Sequence, residues 1–239
     1  MKIAFISDIH GNAVALDAVL ENIKKQDVDK IYVLGDICFR GPEPKRSLDL
    51  VRSLDTDVIK GNADEWIVRS IREGEVPNHV LDIMNSEVNW SKSKLTSEDN
   101  DYLENLPMNL TLEYENIKVH AFHATPDDLF NVVLPTESDE IINEKLIKDS
   151  AADIFIYAHI HKPYIRYIAS KCIINIGSVG LPFDGLTKSS YALLDIEKDS
   201  FQSSIIRVDY DVQKVIQQYH ILDYPNRDLM ISILSNGKV

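Results

Sequence analysis

A chain of 239 residues, 44% of them apolar, fits one large domain with a single sizeable core better than two small ones. Its 38 acidic and 25 basic side chains give a formal net charge of −13, which repels a nucleic-acid backbone and argues against long DNA or RNA as substrate. Two cysteines, Cys38 and Cys172, make no disulfide framework, the first residues lack the apolar stretch of a signal peptide, and no apolar run approaches the roughly 18 residues of a membrane span, so the expectation is a soluble cytoplasmic protein.

In chain order, an apolar run at 3–7 predicts a buried strand, and 13–23 sets Val14, Leu16, Val19, Leu20 and Ile23 on one helical face. A second strand at 30–34 ends at Gly35. A helix at 44–54 carries Pro44 in its first turn, and a third short strand at 57–59 runs to Gly61. This alternation predicts an α/β chain with a parallel sheet and right-handed crossovers. Residues 63–106 are polar and helical, with Trp66 and Trp90, and read as a cap-like insertion within one domain spanning 1–239. Paired strands follow at 109–114 and 117–122, then a helix at 138–148. Further strands are predicted at 154–157, 164–168, 172–176, 191–196 and 201–208, the last two as a hairpin. The stretch after Asp211 reads as helix broken at Pro225.

Metal-ligating side chains recur at the ends of these strands. Asp8 and His10 follow the first, Asp36 the second, Asn62 the third, His123 the strand at 117–122, and His159 and His161 the strand at 154–157. Carboxyl ends of strands in open α/β sheets converge on one crevice, so seven nitrogen or oxygen donors are expected in one region. Mixed imidazole and carboxylate ligation suits Mn, Fe, Zn or Ni. Asp36 is the natural bridge, since a carboxylate with two oxygens spans two ions roughly 3.5–4 Å apart, and such ions polarise a phosphoryl oxygen and turn a bridging water into hydroxide near neutral pH.

Asp8-Ile9-His10, Gly35-Asp36, Gly61-Asn62, His123 and Ala158-His159-Ile160-His161, in this order, resemble the calcineurin-like metallophosphoesterase signature. The resemblance implies a two-sheet αββα sandwich with a small helical cap, and a hydrolase with two divalent metal ions. One ion would sit on Asp8, His10, Asp36 and His161, the other on Asp36, Asn62, His123 and His159. The segment 175–182 is similar to a block of the small bacterial and archaeal phosphodiesterase branch, with Ile176 where that block has proline. The stretch 207–212 resembles bacterial hydrolases of dinucleoside polyphosphates. Two positions depart from the pattern. Ala158 replaces a glycine, and Ala63 stands where many members have a histidine that assists the leaving group. Alanine neither donates a proton nor carries charge, which favours substrates with good leaving groups unless Asp64 or a cap residue substitutes.

Asp36, Asn62 and Asp64 are therefore the expected catalytic residues. Asn12 and Arg40 are candidates for substrate binding, with a helix N-cap and a surface arginine as their alternatives. His79, His120 and His220 read as structural, Cys38 as a buried small hydrophobe, and Phe183 with Asp184 as a rim of the site. Trp66 and Trp90 read as cap core, with stacking on a nucleobase as the second reading. The expected partner is a small phosphorylated substrate, a nucleotide among the possibilities, with no membrane. Two other functions compete with phosphodiester or phosphoanhydride hydrolysis: a phosphomonoesterase or phosphoprotein phosphatase, and a non-catalytic metal- or nucleotide-binding module.

Overall fold

The computed structural model describes residues 1–238; Val239, the last residue of the expected domain, lies outside them. The run Ile3-Ala4-Phe5-Ile6 has no polar interruption because both of its faces are covered. It forms β1 (Lys2–Ile6), with Ile3 and Phe5 turned to one core and Ala4 and Ile6 to another. Helix α1 (Ala13–Lys24) returns the chain to β2 (Lys30–Val33), which lies parallel to β1 with Ile3 opposite Lys30 and Ile6 opposite Val33. Helix α2 (Pro44–Ser53) begins on Pro44, whose ring fixes φ and whose missing N–H costs nothing in a first turn.

The expected third strand at 57–59 shrinks to a single parallel bridge, Val58 to Val33, bounded by Ile59 N–H donating to Val33 O at 2.9 Å. Just beyond it, Lys60 N–H turns away to Pro107 O, so the ladder has no room to extend. Three helices follow: α3 (Asn62–Arg69), α4 (Asn78–Lys92) and α5 (Ser97–Glu104). Next come β3 (Asn109–Tyr114) and β4 (Ile117–Phe122), antiparallel over all six residues. The helix expected at 138–148 is instead α6 (Asp139–Ile142) continued by a π-helical turn, Asn143–Ile147, closed by Lys148 N–H to Asn143 O at 2.7 Å. The wider turn buries the consecutive residues Leu146 and Ile147 together.

The remaining strands are β5 (Ile154–Tyr157), β6 (Tyr164–Ile168), β7 (Lys171–Asn175), β8 (Ser189–Glu197) and β9 (Ser200–Val208), followed by α7 (Val212–Ile221) and α8 (Arg227–Asn236) around the expected break at Pro225. Two mixed sheets result, in the orders β2-β1-β8-β9 and β3-β4-β5-β7-β6. Their facing sides enclose one core, where Phe5 and Leu194 meet Val119, Ile156 and Ile174. Helices cover both outer faces. Leu16, Leu48, Ile67 and Val88 pack over Ile6 and Leu193 on the first sheet, and Ile142 and Leu146 over Phe122 and Phe155 on the second. This is the two-sheet αββα sandwich that the family resemblance implied, and it brings the loops after β1, β2, β4 and β5 to one corner.

Candidate metal centre

The corner is built by backbone as much as by side chains. Asp8, His10, Asp36, His159 and His161 all have positive φ, between 49° and 66°. Asp and His tolerate this left-handed region better than β-branched residues do, yet it still costs about 1 kcal/mol or more per residue and persists only where surroundings enforce it. Two glycines do part of the enforcing. A Cβ on Gly35, itself at φ 87°, would lie 2.2 Å from Gly61 N, and one on Gly61 would lie 2.1 Å from Asp36 Oδ1. The Gly-Asp and Gly-Asn pairs thus let the β2 end and the α3 start touch backbone to backbone.

Asp8, His10, Asp36 and His161 each offer one donor atom within 4.8 Å of one another. Asn62 Oδ1 lies 3.0 Å from His123 Nε2 and 2.8 Å from His159 Nδ1. Between these two groups stands Asp36 Oδ2, 3.6 Å from His10 Nε2 and 3.5 Å from His123 Nε2. Asp36 does not use both oxygens to span the groups, as its chemistry suggested. Oδ1 accepts the Ala63 N–H at 2.7 Å, and Oδ2 alone faces both histidines.

The donor set fits cations. Nδ1–H of His10 donates to Phe39 O, that of His161 to Leu181 O and that of His123 to Leu34 O, so in the neutral rings each Nε2 carries a lone pair. The Nε2 atoms of His10 and His161 nevertheless face each other at 3.2 Å. Acceptors turned on acceptors in a buried corner repel unless positive charge lies between them. Asp8 Oδ1, fully buried without a hydrogen-bond partner and 3.2 Å from His161 Nε2, points to the same gap. Burial holds His10 and His159 down to about 4, so both rings are neutral. At His123 burial is outweighed by the Asp36 and Asp8 carboxylates, which lift it to about 9, so without a cation this ring is protonated and its Nε2–H donates to Asn62 Oδ1. Burial opposes ionisation of Asp36, but His123 and His10 keep its carboxyl well below the usual range.

Two expected site residues face elsewhere. Asp64 is fully buried and accepts backbone N–H groups from Asp36 (2.7 Å), Ile37 (2.9 Å) and Gly61 (2.9 Å), tying together the two loops that carry Asp36 and Asn62. Burial and the neighbouring Asp36 charge lift its carboxyl to about 7, yet it does not reach the cavity and is not in position to protonate a leaving group. Asn12 likewise spends its amide on structure: Oδ1 caps α1 at Ala15 N–H and Nδ2 donates to Gly180 O. Its N-cap alternative holds, and its side chain is not turned to substrate.

His10, Asp36, Asn62, His159 and His161 open into a cavity of about 170 Å³, also lined by Phe39, Arg40, Ala63, Trp66, Met84, Leu181 and Phe183, while Asp8 and His123 are fully buried behind them. Arg40 is the one arginine or lysine among those lining residues. Phe183 stacks on His161 with centroids 4.2 Å apart, so the expected rim is a wall. Trp66 belongs both to the cavity and to the core shared by the helices of 62–104. Trp90 packs edge-on against Tyr224, away from the cavity. His120 sits between Phe122 and Phe155, and His79 and His220 are exposed; none of the three lines the cavity. Cys38 is buried, as expected.

Sequence reasoning missed several supports. Ser178 Oγ and Gly180 N–H both donate to Asp8 O, which explains why the 175–182 block accompanies the first motif. Ile176, in the place of a proline, donates its N–H to Tyr157 O at 3.0 Å, a bond proline cannot make. Met84 and Glu87 on α4 gave no signal, because a helix with mixed polarity reads as solvent-facing.

Residues 1–199 match the Calcineurin-like phosphoesterase superfamily domain. An uncharacterised protein of Methanocaldococcus jannaschii is 32% identical over 237 residues, covering 90% of each chain. The phosphodiesterase YfcE of Escherichia coli K12 is 24% identical over 198 residues, 82% of this chain and 88% of that protein. Among solved structures, a metallophosphoesterase from Sphaerobacter thermophilus is similar with a TM-score of 0.79 at 26% identity over 99% of both chains. A hypothetical protein from Pyrococcus horikoshii OT3 shares the fold with a TM-score of 0.86 at 23% identity, over 100% of this chain and 99% of that one.

Proposed function

The chain belongs to the calcineurin-like phosphoesterase superfamily, and from that premise we propose that it hydrolyses small phosphodiesters or phosphoanhydrides, dinucleoside polyphosphates among them, with two divalent metal ions. The observation that carries the proposal is Asp36 Oδ2, nearly equidistant from His10 Nε2 and His123 Nε2, with a complete donor group on each side. Asp8, His10, Asp36 and His161 would hold one ion, and Asp36, Asn62, His123 and His159 the other. Bound there, such ions supply Lewis-acid polarisation of the phosphoryl oxygen and activation of the attacking water. Mn, Fe, Zn and Ni all suit these donors.

The protein's own residues fix geometry. Backbone carbonyls set the ring tautomers of His10, His123 and His161, and the Ala63 N–H orients Asp36. Asn62 Oδ1, which faces His123 Nε2 and His159 Nδ1, would be a ligand of the second ion. Arg40 would meet the non-bridging phosphoryl oxygens. No side chain at position 63 delivers a proton, so the reading favours anhydrides and aryl esters, whose leaving groups need least help. A cavity of about 170 Å³ is below the roughly 300–1,000 Å³ of ordinary ligand pockets. It suits a phosphoryl group with the near end of its leaving group, and residues 63–106, acting as a cap within the single domain, would shift or let the remainder extend outward.

Among the described residues no helix is long and apolar enough to cross a membrane. The free, buried thiols Cys38 and Cys172 support the cytoplasmic reading. A hydrolysis assay tests the whole proposal, using bis-p-nitrophenyl phosphate, p-nitrophenyl phosphate and a dinucleoside polyphosphate, each with Mn²⁺ and after chelation. Turnover of the diester or the anhydride that chelation abolishes supports it. Turnover of p-nitrophenyl phosphate alone would favour a phosphomonoesterase, and metal binding without any turnover a non-catalytic module.

A further inference from the structure

Arg40 is held in an unusual way. Its backbone is left-handed at φ 74°, and its carbonyl accepts the Tyr219 hydroxyl from α7. Its guanidinium lies over the Phe39 ring, 5.4 Å from the centroid, with Nε 3.5 Å from Glu87 Oε2. Glu87 comes from α4 and is fully buried. Its other oxygen accepts Tyr224 Oη–H at 3.3 Å, while Oε2 has no partner within hydrogen-bond geometry. Burial pushes this carboxyl up and Arg40 pulls it back. A buried acid is costly and contributes little net stability even when paired, so stability alone does not explain it. What the pair does fix is direction. Arg40 Nε, like Glu87 Oε2, has no hydrogen-bond partner, so the 3.5 Å contact between them is an ion pair. With that edge of the guanidinium drawn to the carboxylate, the Nη groups are left for the cavity that Arg40 lines, and a guanidinium presents such groups to a phosphate bidentately.

We propose that Glu87, braced by Tyr224, is a positioning residue that aims Arg40 at the phosphoryl group in the cavity, so that α4 and the C-terminal helices set phosphate affinity without touching the substrate. This deepens the phosphoesterase reading and rests on it for the identity of the anion. Inorganic phosphate is the probe, titrated calorimetrically into Mn²⁺-loaded full-length protein, with metal content and thermal midpoint measured on every variant. Arg40→Ala should weaken phosphate about tenfold to a hundredfold with metal content retained. Glu87→Gln should weaken it about threefold to tenfold without lowering the thermal midpoint, and Tyr224→Phe should follow in the same direction. In the Arg40→Ala background Glu87→Gln should add nothing, because a positioning residue has nothing left to position; a merely structural Glu87 would still lower affinity there. The proposal is overturned if loaded wild type does not bind phosphate, if Arg40→Ala binds it as well as wild type, or if the Glu87 effect persists without Arg40. Arg40-dependent phosphate binding without turnover of any ester would sink the hydrolase reading instead and leave this one standing.

Discussion

The two sides of the cavity are made of different material. On one side, His10, Asp36, His159 and His161 on loops and Asn62 at the start of α3, backed by the buried Asp8 and His123, have polar atoms tied to backbone partners such as Phe39 O, Leu34 O and Ala63 N. On the other, Phe39, Trp66, Met84, Leu181 and Phe183 offer apolar contact, and Arg40 is the charge among them. The first side is over-determined: left-handed backbone, close glycine contact and the triple acceptor Asp64 all constrain the same few atoms. The second is held by packing, where volume-conserving replacements are tolerated. On the proposed phosphoesterase reading, chemistry falls to the first side and substrate choice to the second, and mutations should divide accordingly.

The sharpest way to break that division is Asp36→Asn. Activity should fall by about two to three orders of magnitude and metal content should drop, read by assay and elemental analysis. Alanine at His10, His123, His159 or His161 should behave alike. Full activity with unchanged metal in any of them removes that residue from the ligand set. The next effect runs upward. Ala63→His adds an imidazole beside Asn62 and should raise kcat/KM for alkyl diesters by up to about a hundredfold, and for p-nitrophenyl esters far less. A leaving-group series in wild type checks the premise, since equal rates for alkyl and aryl diesters, with chemistry limiting, would mean that another group already supplies the proton.

On the packed side, Trp66→Ala should lower stability by about 3–5 kcal/mol in denaturant titration, because the indole is buried against Phe39 and Phe130. Turnover per folded, metal-loaded molecule should change by less than about tenfold. A loss as large as that of Asp36→Asn would show that the two sides are not separable. The smallest expected effect is none: His79→Ala and His220→Ala, both exposed, should leave activity and metal content at wild-type values.

What was legible in the sequence follows the same line. The loops proposed to carry ligands could be read because donor side chains recur just beyond apolar strands, with Gly-Asp and Gly-Asn marking the turns; the left-handed backbone at Asp8, His10, Asp36, His159 and His161 could not. The α/β alternation could be read because strands buried on both faces, such as β1 and β5, are uninterrupted apolar runs, whereas the division into two mixed sheets followed only from the family resemblance. Asp64 misled, since a carboxylate two residues beyond Asn62 looks like chemistry until its three backbone donors are seen. Asp57–Ile59 looked like a strand for its composition, but pairing depends on what the next residues do, and Lys60 turns away. Glu87 left no mark, because burial of one acid on a polar helix is decided by partners far off in the sequence, Arg40 and Tyr224.

The indole of Trp66 shares its cavity with Asn62 and His159, whereas that of Trp90 lies on Tyr224 with Lys94 over its face. These are the chain's two tryptophans, so replacing Trp90 with phenylalanine leaves one fluorophore beside the gap between the donors. Paramagnetic Mn²⁺ quenches a nearby excited indole, while Zn²⁺, with its filled d shell, does not. The wall that packs the substrate side thus doubles as an optical gauge of cation loading, readable in solution without any substrate.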